Sequence, residues 1–318
     1  MTISIAMATY NGEQYLQTQL DSLASQTRLP DELVISDDGS SDSTIEIAEG
    51  FAASSTFDVK VLKNTNRLGY IKNFERALLH CSGEIIALSD QDDIWLPEKL
   101  AKQGGLIEMN PSIGGVFSDA FLMYDQSIGT KQSVWDIINF GPADQDELRS
   151  GRCCPVAVTG KKAMGCTLMF RASLMEKIVP IPAIWEHDAW IAWMISIYSR
   201  LDSIPERLIQ HRIHGSQQVG VPSRSLLNHL HTKPSDYLNH ANQLAALLER
   251  TSACVPQDKE IDAHLHRMMN YLRMRGTLPK NRLHRFATVI SNWNYYRQTT
   301  NGMLSALKDI AGLNVKND

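Results

Sequence analysis

Ile85-Ile86-Ala87-Leu88-Ser89-Asp90-Gln91-Asp92-Asp93-Ile94-Trp95 is the stretch on which the fold turns. Four consecutive apolar residues read as a buried strand, and three carboxylates follow at once. The same grammar occurs upstream. Ile3-Ser4-Ile5-Ala6-Met7-Ala8 reads as a buried strand, and Leu16, Leu20 and Leu23 recur at i, i+4 and i+7, one face of a helix. Leu33-Val34-Ile35 is a second strand, and Ser43-x-x-Glu46 is a capping-box signature for a helix to about Ala53. Val59 to Leu62 is a third strand, and Ile71, Phe74 and Leu78 mark another helix. Downstream, Pro97 opens a helix and Gly114-Gly115-Val116-Phe117 begins a fifth strand. Strand and helix alternating at this spacing predict an α/β domain, a mostly parallel sheet with helices on both faces. Such sheets bind ligands in the crevice beyond the carboxyl ends of their strands.

Two acidic clusters fall in that crevice. Asp37-Asp38-Gly39-Ser40-Ser41-Asp42 follows strand two, and Asp90-Gln91-Asp92-Asp93 follows strand four. Like charges crowded in one cleft destabilise it. A divalent cation or a sugar hydroxyl between the carboxylates reverses that, since Mg²⁺ and Mn²⁺ prefer oxygen ligands. The first cluster serves equally as a turn and helix N-cap, and the second as a solvated loop. Glu186-His187-Asp188 before an apolar helix can be a plain N-terminal turn, where acids suit the helix dipole. A histidine such as His214 is, taken alone, more often a surface or core residue than a ligand. His211 is a weaker candidate. Cys166 reads as a small packed residue, and Arg67 and Lys72 as solvated cations that can also reach a phosphate.

Taken together, Thr9-Tyr10-Asn11, Asp37-Asp38-Gly39-Ser40 and Asp90-Gln91-Asp92-Asp93 stand in the order of a nucleotide-sugar site. Over about Ile3 to Gly220 the chain resembles the family 2 glycosyltransferases, inverting enzymes of the GT-A fold. Asp-Gln-Asp-Asp-Ile-Trp, Glu186-His187-Asp188-Ala189-Trp190 and Arg212-Ile213-His214-Gly215-Ser216 resemble most the rhamnosyltransferase-like bacterial branch. The resemblance implies a GT-A domain over residues 1–222, with a nucleotide-sugar half (1–118) and an acceptor half (119–222). It implies that Thr9, Tyr10 and Asn11 line the nucleotide pocket, and that Asp38, with Asp37 beside it, meets the base. By the same match Asp90 faces the ribose or metal, and Asp92 and His214 hold Mg²⁺ or Mn²⁺ at the diphosphate. Asp188 becomes the catalytic base, and Gly165 and Cys166 meet sugar and acceptor. The expected activity is inverting transfer of one sugar, first guess rhamnose from a thymidine-diphosphate donor, to a saccharide or lipid-linked saccharide in surface polysaccharide synthesis. The Gln-x-x-Arg-Trp run of processive members does not occur.

Two other activities stay open on these residues, a nucleotidyltransferase and a non-catalytic sugar-nucleotide-binding protein. The first calls for a basic, Gly-rich loop after strand one, where the sequence has Ala8-Thr9-Tyr10-Asn11-Gly12-Glu13. A dinucleotide oxidoreductase lacks its G-x-G-x-x-G there.

Net charge is −4 over 318 residues, which argues against a generic nucleic-acid binder. No signal-like start or spanning apolar run is visible, and five cysteines without a C-x-x-C pair fit a reduced, cytoplasmic protein. Cys153-Cys154 reads as a reduced pair in a loop. Residues 119–221 are patterned less regularly, with a polar loop near Gly141–Gly151, a short strand at Thr167–Phe170 and an apolar helix at Ala189–Tyr198. Residues 223–318 read as a helical appendage. From Ile261 on, nine Lys plus Arg oppose three acids, a balance of +6 that leaves −10 for the rest. Aromatic residues interleave with this charge. Such a tail suits either a cap with a solvated basic face or peripheral contact with a membrane.

Overall fold

The computed structural model describes residues 1–124, 127–150, 163–215, 233–252, 259–297 and 302–313. Cys153, Cys154, Cys254 and Ser216 lie outside the described residues. The chain divides into two compact units, Met1–Pro222 and Ser223–Asp318.

The first unit is built on β1 (Ile3–Thr9), β2 (Glu32–Asp37), β3 (Asp58–Lys63), β4 (Ile85–Ser89), β5 (Ile94–Trp95), β6 (Ile113–Tyr124), β7 (Ser127–Ser133), β8 (Leu168–Arg171) and β9 (Arg200–Ile213). All nine join one sheet in the order β3-β2-β1-β4-β8-β6-β9-β5, with β7 beside β6. The pairs β3–β2, β2–β1, β1–β4 and β6–β9 are parallel. β8 runs antiparallel between β4 and β6. Every residue of β2 and β4 is buried, the apolar runs at 33–35 and 85–88 together with the polar residues that flank them.

The crossovers are α1 (Leu16–Ala24), α2 (Thr44–Ser54), α3 (Tyr70–Leu79) and α4 (Lys99–Met109). Leu16, Leu20 and Leu23 of α1 are all buried, as their spacing predicts. The expected capping box on α2 is not formed, for the Ser43 side chain makes no cap bond. Glu13 instead accepts from the Ser43 N–H at 3.0 Å, and Asp42 from the Thr44 N–H at 3.1 Å. The turn after β2 is thereby tied to the turn after β1. Short helices α5 (Val134–Ile138), α6 (Pro142–Arg149) and α7 (Met175–Ile178) precede the apolar α8 (His187–Tyr198). The segment expected as a polar loop at 141–149 is thus helical. Its helix starts with Pro142, and Asp144 accepts from the Gly141 N–H at 2.8 Å.

The second unit is helical where described: α9 (Pro234–Ser252), α10 (Lys259–Gly276), α11 (Arg282–Ser291), α12 (Trp293–Arg297) and α13 (Gly302–Ala311). Tyr271, Val289, Tyr296 and Ala306 form a small core there. Among the described residues no helix is long and apolar enough to cross a membrane.

Candidate active site at the carboxyl edge of the sheet

The ends of β1, β2 and β4 are tied together by side chains. Gln91 makes a peptide-like pair with Tyr10: its Oε1 accepts from the Tyr10 N–H at 2.9 Å and its Nε2 donates to the Tyr10 carbonyl at 3.1 Å. A Cβ on Gly12 would stand 2.3 Å from Gln91 Oε1, so a glycine there makes room for the clamp. Asn11 receives the Ser41 N–H at 2.9 Å and donates its own N–H to Ser40 Oγ at 2.9 Å.

Asp37 and Asp38 are buried and fully engaged. Asp37 accepts from Thr9 Oγ1 (2.8 Å), the Gly39 and Ser40 N–H groups (3.0 and 2.8 Å) and Ser40 Oγ (2.6 Å). Asp38 accepts from the Leu68 N–H (2.6 Å), the Gly69 N–H (2.9 Å) and Asn64 Nδ2 (3.0 Å). Asp38 is therefore the anchor of the 64–69 segment. Gly69 ends that segment at φ 81°, a value few other residues adopt. The anchored segment sets the Arg67 guanidinium over the Tyr10 ring, 4.0 Å from its centroid. The result is an aromatic and cationic platform at the end of β1, the kind of surface on which a base can stack. Lys72, in contrast, pairs with Glu75 and the Ile181 carbonyl.

The second cluster meets the far half of the unit. Asp92 Oδ2 lies 2.9 Å from His214 Nε2, and the Asp92 carbonyl accepts from Arg212 Nε at 2.8 Å. Arg212 and His214 also flank the Tyr15 ring, at 4.5 and 4.8 Å. Beneath them Asp93 is wholly buried and accepts from His211 Nδ1 (2.9 Å) and the Arg212 N–H (3.1 Å). Burial opposes a charge on His211, yet the adjoining Asp93 carboxylate holds its pKa up at about 9. That buried pair fixes the end of β9, and so the places of Arg212 and His214. Asp188 sits in the first turn of α8 and accepts from the Gly165 N–H at 3.1 Å and its neighbour's N–H at 2.7 Å. Glu186 beside it accepts from the Tyr70 hydroxyl, and the buried His187 ring stacks on Phe74 at 3.9 Å. Cys166 is buried with its thiol pushed up by burial, 3.9 Å from His211. It is a packed neutral group, as its sequence context predicts.

Asp90, Asp92, Asp188, Gly165 and His214 therefore converge, with Cys166 packed beneath them, while Thr9, Tyr10, Asn11, Asp37 and Asp38 form the adjoining wall. Asp90 makes no side-chain hydrogen bond among the described residues. Burial first, then the charges of Asp93 and Asp92, push its carboxyl well above the usual range, and Asp188 adds to this. Burial, then Asp93, raises Asp92 too, against the pull of His214. Two carboxyls held back from ionisation are short of positive charge, which a divalent cation with an oxygen preference would supply. That donor set fits Mg²⁺ or Mn²⁺. Three ligand atoms already within 4.8 Å of one another occur at Asp93, Cys166 and His211, one layer deeper. There the His211–Asp93 bond already closes the set.

Sequence reading missed the clamp by Gln91, the Asp93–His211 pair and the Arg67–Tyr10 stack. All three join segments far apart in the chain. His211 immediately precedes the Arg212–Ser216 motif that singles out His214, and that adjacency is the signal the sequence offers for the pair.

Residues 4–156 match the family model described as Glycosyl transferase family 2. A glycosyltransferase of Nostoc is 26% identical over 227 residues, 68% of this chain and 66% of the relative. The dTDP-rhamnosyl transferase RfbG of Shigella flexneri is 40% identical over 98 residues, 30% of this chain and 34% of that protein. The chain thus spans less than two thirds of either relative. Among solved structures, S. aureus TarS in complex with UDP-GlcNAc superposes with a TM-score of 0.60 at 17% identity, over 99% of this chain and 82% of that one.

Proposed function

We propose that this chain, which has the GT-A fold, works as a family 2 glycosyl transferase and moves one sugar from a nucleoside-diphosphate donor to a saccharide or lipid-linked saccharide acceptor, with inversion. The observation that carries this reading is that Asp90, two residues before Asp92 at the end of β4, lies near enough to Asp188 at the start of α8 to feel its charge. In this reading the Tyr10–Arg67 platform receives the base. Thr9, Asn11, Asp37 and Asp38 hold the surrounding turns in shape. Asp90 and Asp92, with His214 beside them, hold the divalent cation, which when bound supplies charge for the leaving diphosphate.

The protein's own part is positional and basic. An acceptor hydroxyl is a weak nucleophile near neutral pH and needs a carboxylate to take its proton during attack. Asp188 is suited to that, because the Gly165 and Ala189 N–H groups fix its orientation. Attack on the face opposite the diphosphate inverts the anomeric centre in one step, so no second catalytic carboxylate is needed. Gly165 borders the place where sugar and acceptor meet, and Cys166 packs behind it rather than meeting either, against the sequence expectation.

Rhamnose from a thymidine-diphosphate donor is the first donor proposed, and the support is the matched segment of the Shigella dTDP-rhamnosyl transferase. A role in surface polysaccharide synthesis, at the cytoplasmic face of a membrane, belongs to the same proposal. Its support is the basic, aromatic-rich tail. The test is a panel of nucleotide sugars with Mg²⁺, Mn²⁺ or chelator, read by thermal shift and nucleoside-diphosphate release. Metal-dependent release from a pyrimidine-nucleotide sugar supports the reading. No binding or release from any donor overturns it.

A further inference from the structure

Helix α13 is inverted. Its buried side carries Ser305, Lys308 and Asp309 together with Ala306, while Met303, Leu304, Leu307 and Ala311 all face outward. Leu313, just beyond, is exposed as well. A helix on a soluble core ordinarily does the reverse. The orientation is locked from inside. Asp309 is 0% exposed and receives Arg275 Nε at 2.6 Å, Arg275 Nη2 at 3.0 Å and the Tyr296 hydroxyl at 2.6 Å. Turning the helix to hide its leucines would break this paired, buried charge.

Helix α11 continues the outward apolar face. Leu283, Phe286 and Ile290, at i, i+3 and i+7, are exposed, Leu283 to 80%. Arg285 is turned inward and donates to the Ile310 carbonyl at 3.2 Å, which ties α11 to the end of α13. The stretch of chain that forms this face has surface charge of one sign. From Ala263 to Leu313 the sequence contains a single acid, the buried Asp309. Arg267, Arg273, Lys280, Arg282 and Arg297 are all exposed over the same span.

We propose that the α11–α13 face is a docking surface for an anionic lipid bilayer, entered by Leu283, Phe286, Ile290, Met303, Leu304 and Leu307. An apolar helical face on a stretch of chain whose exposed charges are all cations matches the two halves of an anionic interface, acyl chains and headgroups. A second copy of the chain would bring the same cations against themselves. This inference rests on the membrane contact proposed above and gives it a location. Its test reads binding alone, so it stands or falls apart from the sugar transferred.

The experiment is flotation of the full chain with vesicles of phosphatidylcholine, either alone or with about 30 mol% phosphatidylglycerol to give the negative surface potential of an anionic leaflet. Expected is binding to the anionic vesicles that falls at least about tenfold in high salt. A Leu283→Ser, Phe286→Ser, Leu307→Ser variant should lose at least about tenfold, with an unchanged circular-dichroism spectrum. Lys280→Glu with Arg282→Glu, which leaves the apolar residues in place, should lose binding as well. Absence of binding by the parent chain overturns the proposal, as does equal binding by both variants. Sedimentation showing a dimer that the serine variant abolishes, without vesicle binding, assigns the face to a second copy and also overturns it.

Discussion

Lys99→Met should make the protein more stable, and by an amount that depends on pH. Lys99 opens α4 with its side chain fully buried, and its Nζ has no hydrogen-bond partner. It rests 3.7 Å from the centroid of the Trp95 ring. Burial lowers its pKa from 10.5 to about 7, against the pull of the nearby Asp93. Each tenfold change in proton affinity is worth about 1.4 kcal/mol, so the buried amine costs about 4–5 kcal/mol where the unfolded chain is protonated. The ammonium over Trp95 returns up to about 2 kcal/mol of that. Methionine fills similar space without a charge, so the net gain expected is about 2–3 kcal/mol. The sign with pH follows from the folded value lying below the unfolded one. Below pH 7 both states are protonated in step and the full cost is present. Between pH 7 and 10.5 the unfolded lysine loses its advantage and the cost fades. Urea unfolding of parent and variant at about pH 6.5 and about pH 9.5 measures this, with equal m-values as the check on two-state behaviour. A variant less stable than the parent at the lower pH, or a gap that does not narrow at the higher one, refutes the reasoning.

Asp92→Ala should abolish the metal-dependent part of nucleoside-diphosphate binding, seen as loss of the Mn²⁺-dependent thermal shift, while the fold persists. Asp38→Asn places an amide N–H against backbone donors and should cost about 1–3 kcal/mol in urea unfolding. Glu32 is buried and bonded by Lys60, by Ser4 Oγ at 2.5 Å and by the Ser82 N–H at 2.8 Å. Burial opposes its charge, but these partners hold its pKa below the usual value. Its stabilisation is present above the unfolded pKa and is lost as pH falls through the lowered folded one. The Glu32→Gln cost, about 1–3 kcal/mol near neutrality, should therefore shrink on acidification in parallel urea titrations.

The nucleotide half of the fold is legible in the sequence because β1, β2 and β4 carry buried apolar runs that end in turn residues, and β3, whose residues are only partly covered, still alternates apolar and polar. β9 is not, because Pro205-Glu206-Arg207 interrupts its apolar pattern. Its pairing with β6 steps from Ser118–Ile204 to Asp119–Arg207, so Pro205 and Glu206 sit at a bulge. A residue without an N–H is tolerated there. Helix α6 escapes a periodicity reading because Leu148 is its one buried residue. At the site, the strand-end position of Asp90 and Asp92 follows from local pattern. The roles of Asp37 and Asp38 as anchors do not, since their partners arrive from the segments at 9 and 64–69. Side-chain identity alone cannot separate a carboxylate that grips a ligand from one that grips its own backbone.

The most direct measurement compares the parent with Asp188→Asn, using whichever donor the nucleotide-sugar panel selects. Donor affinity and nucleoside-diphosphate release under saturating donor and metal are read side by side. Expected is donor affinity within about threefold of the parent, with release lower by about 10²- to 10⁴-fold, the contribution of a positioned base. Turnover near the parental rate in Asp188→Asn would contradict the account, since the base would then lie elsewhere.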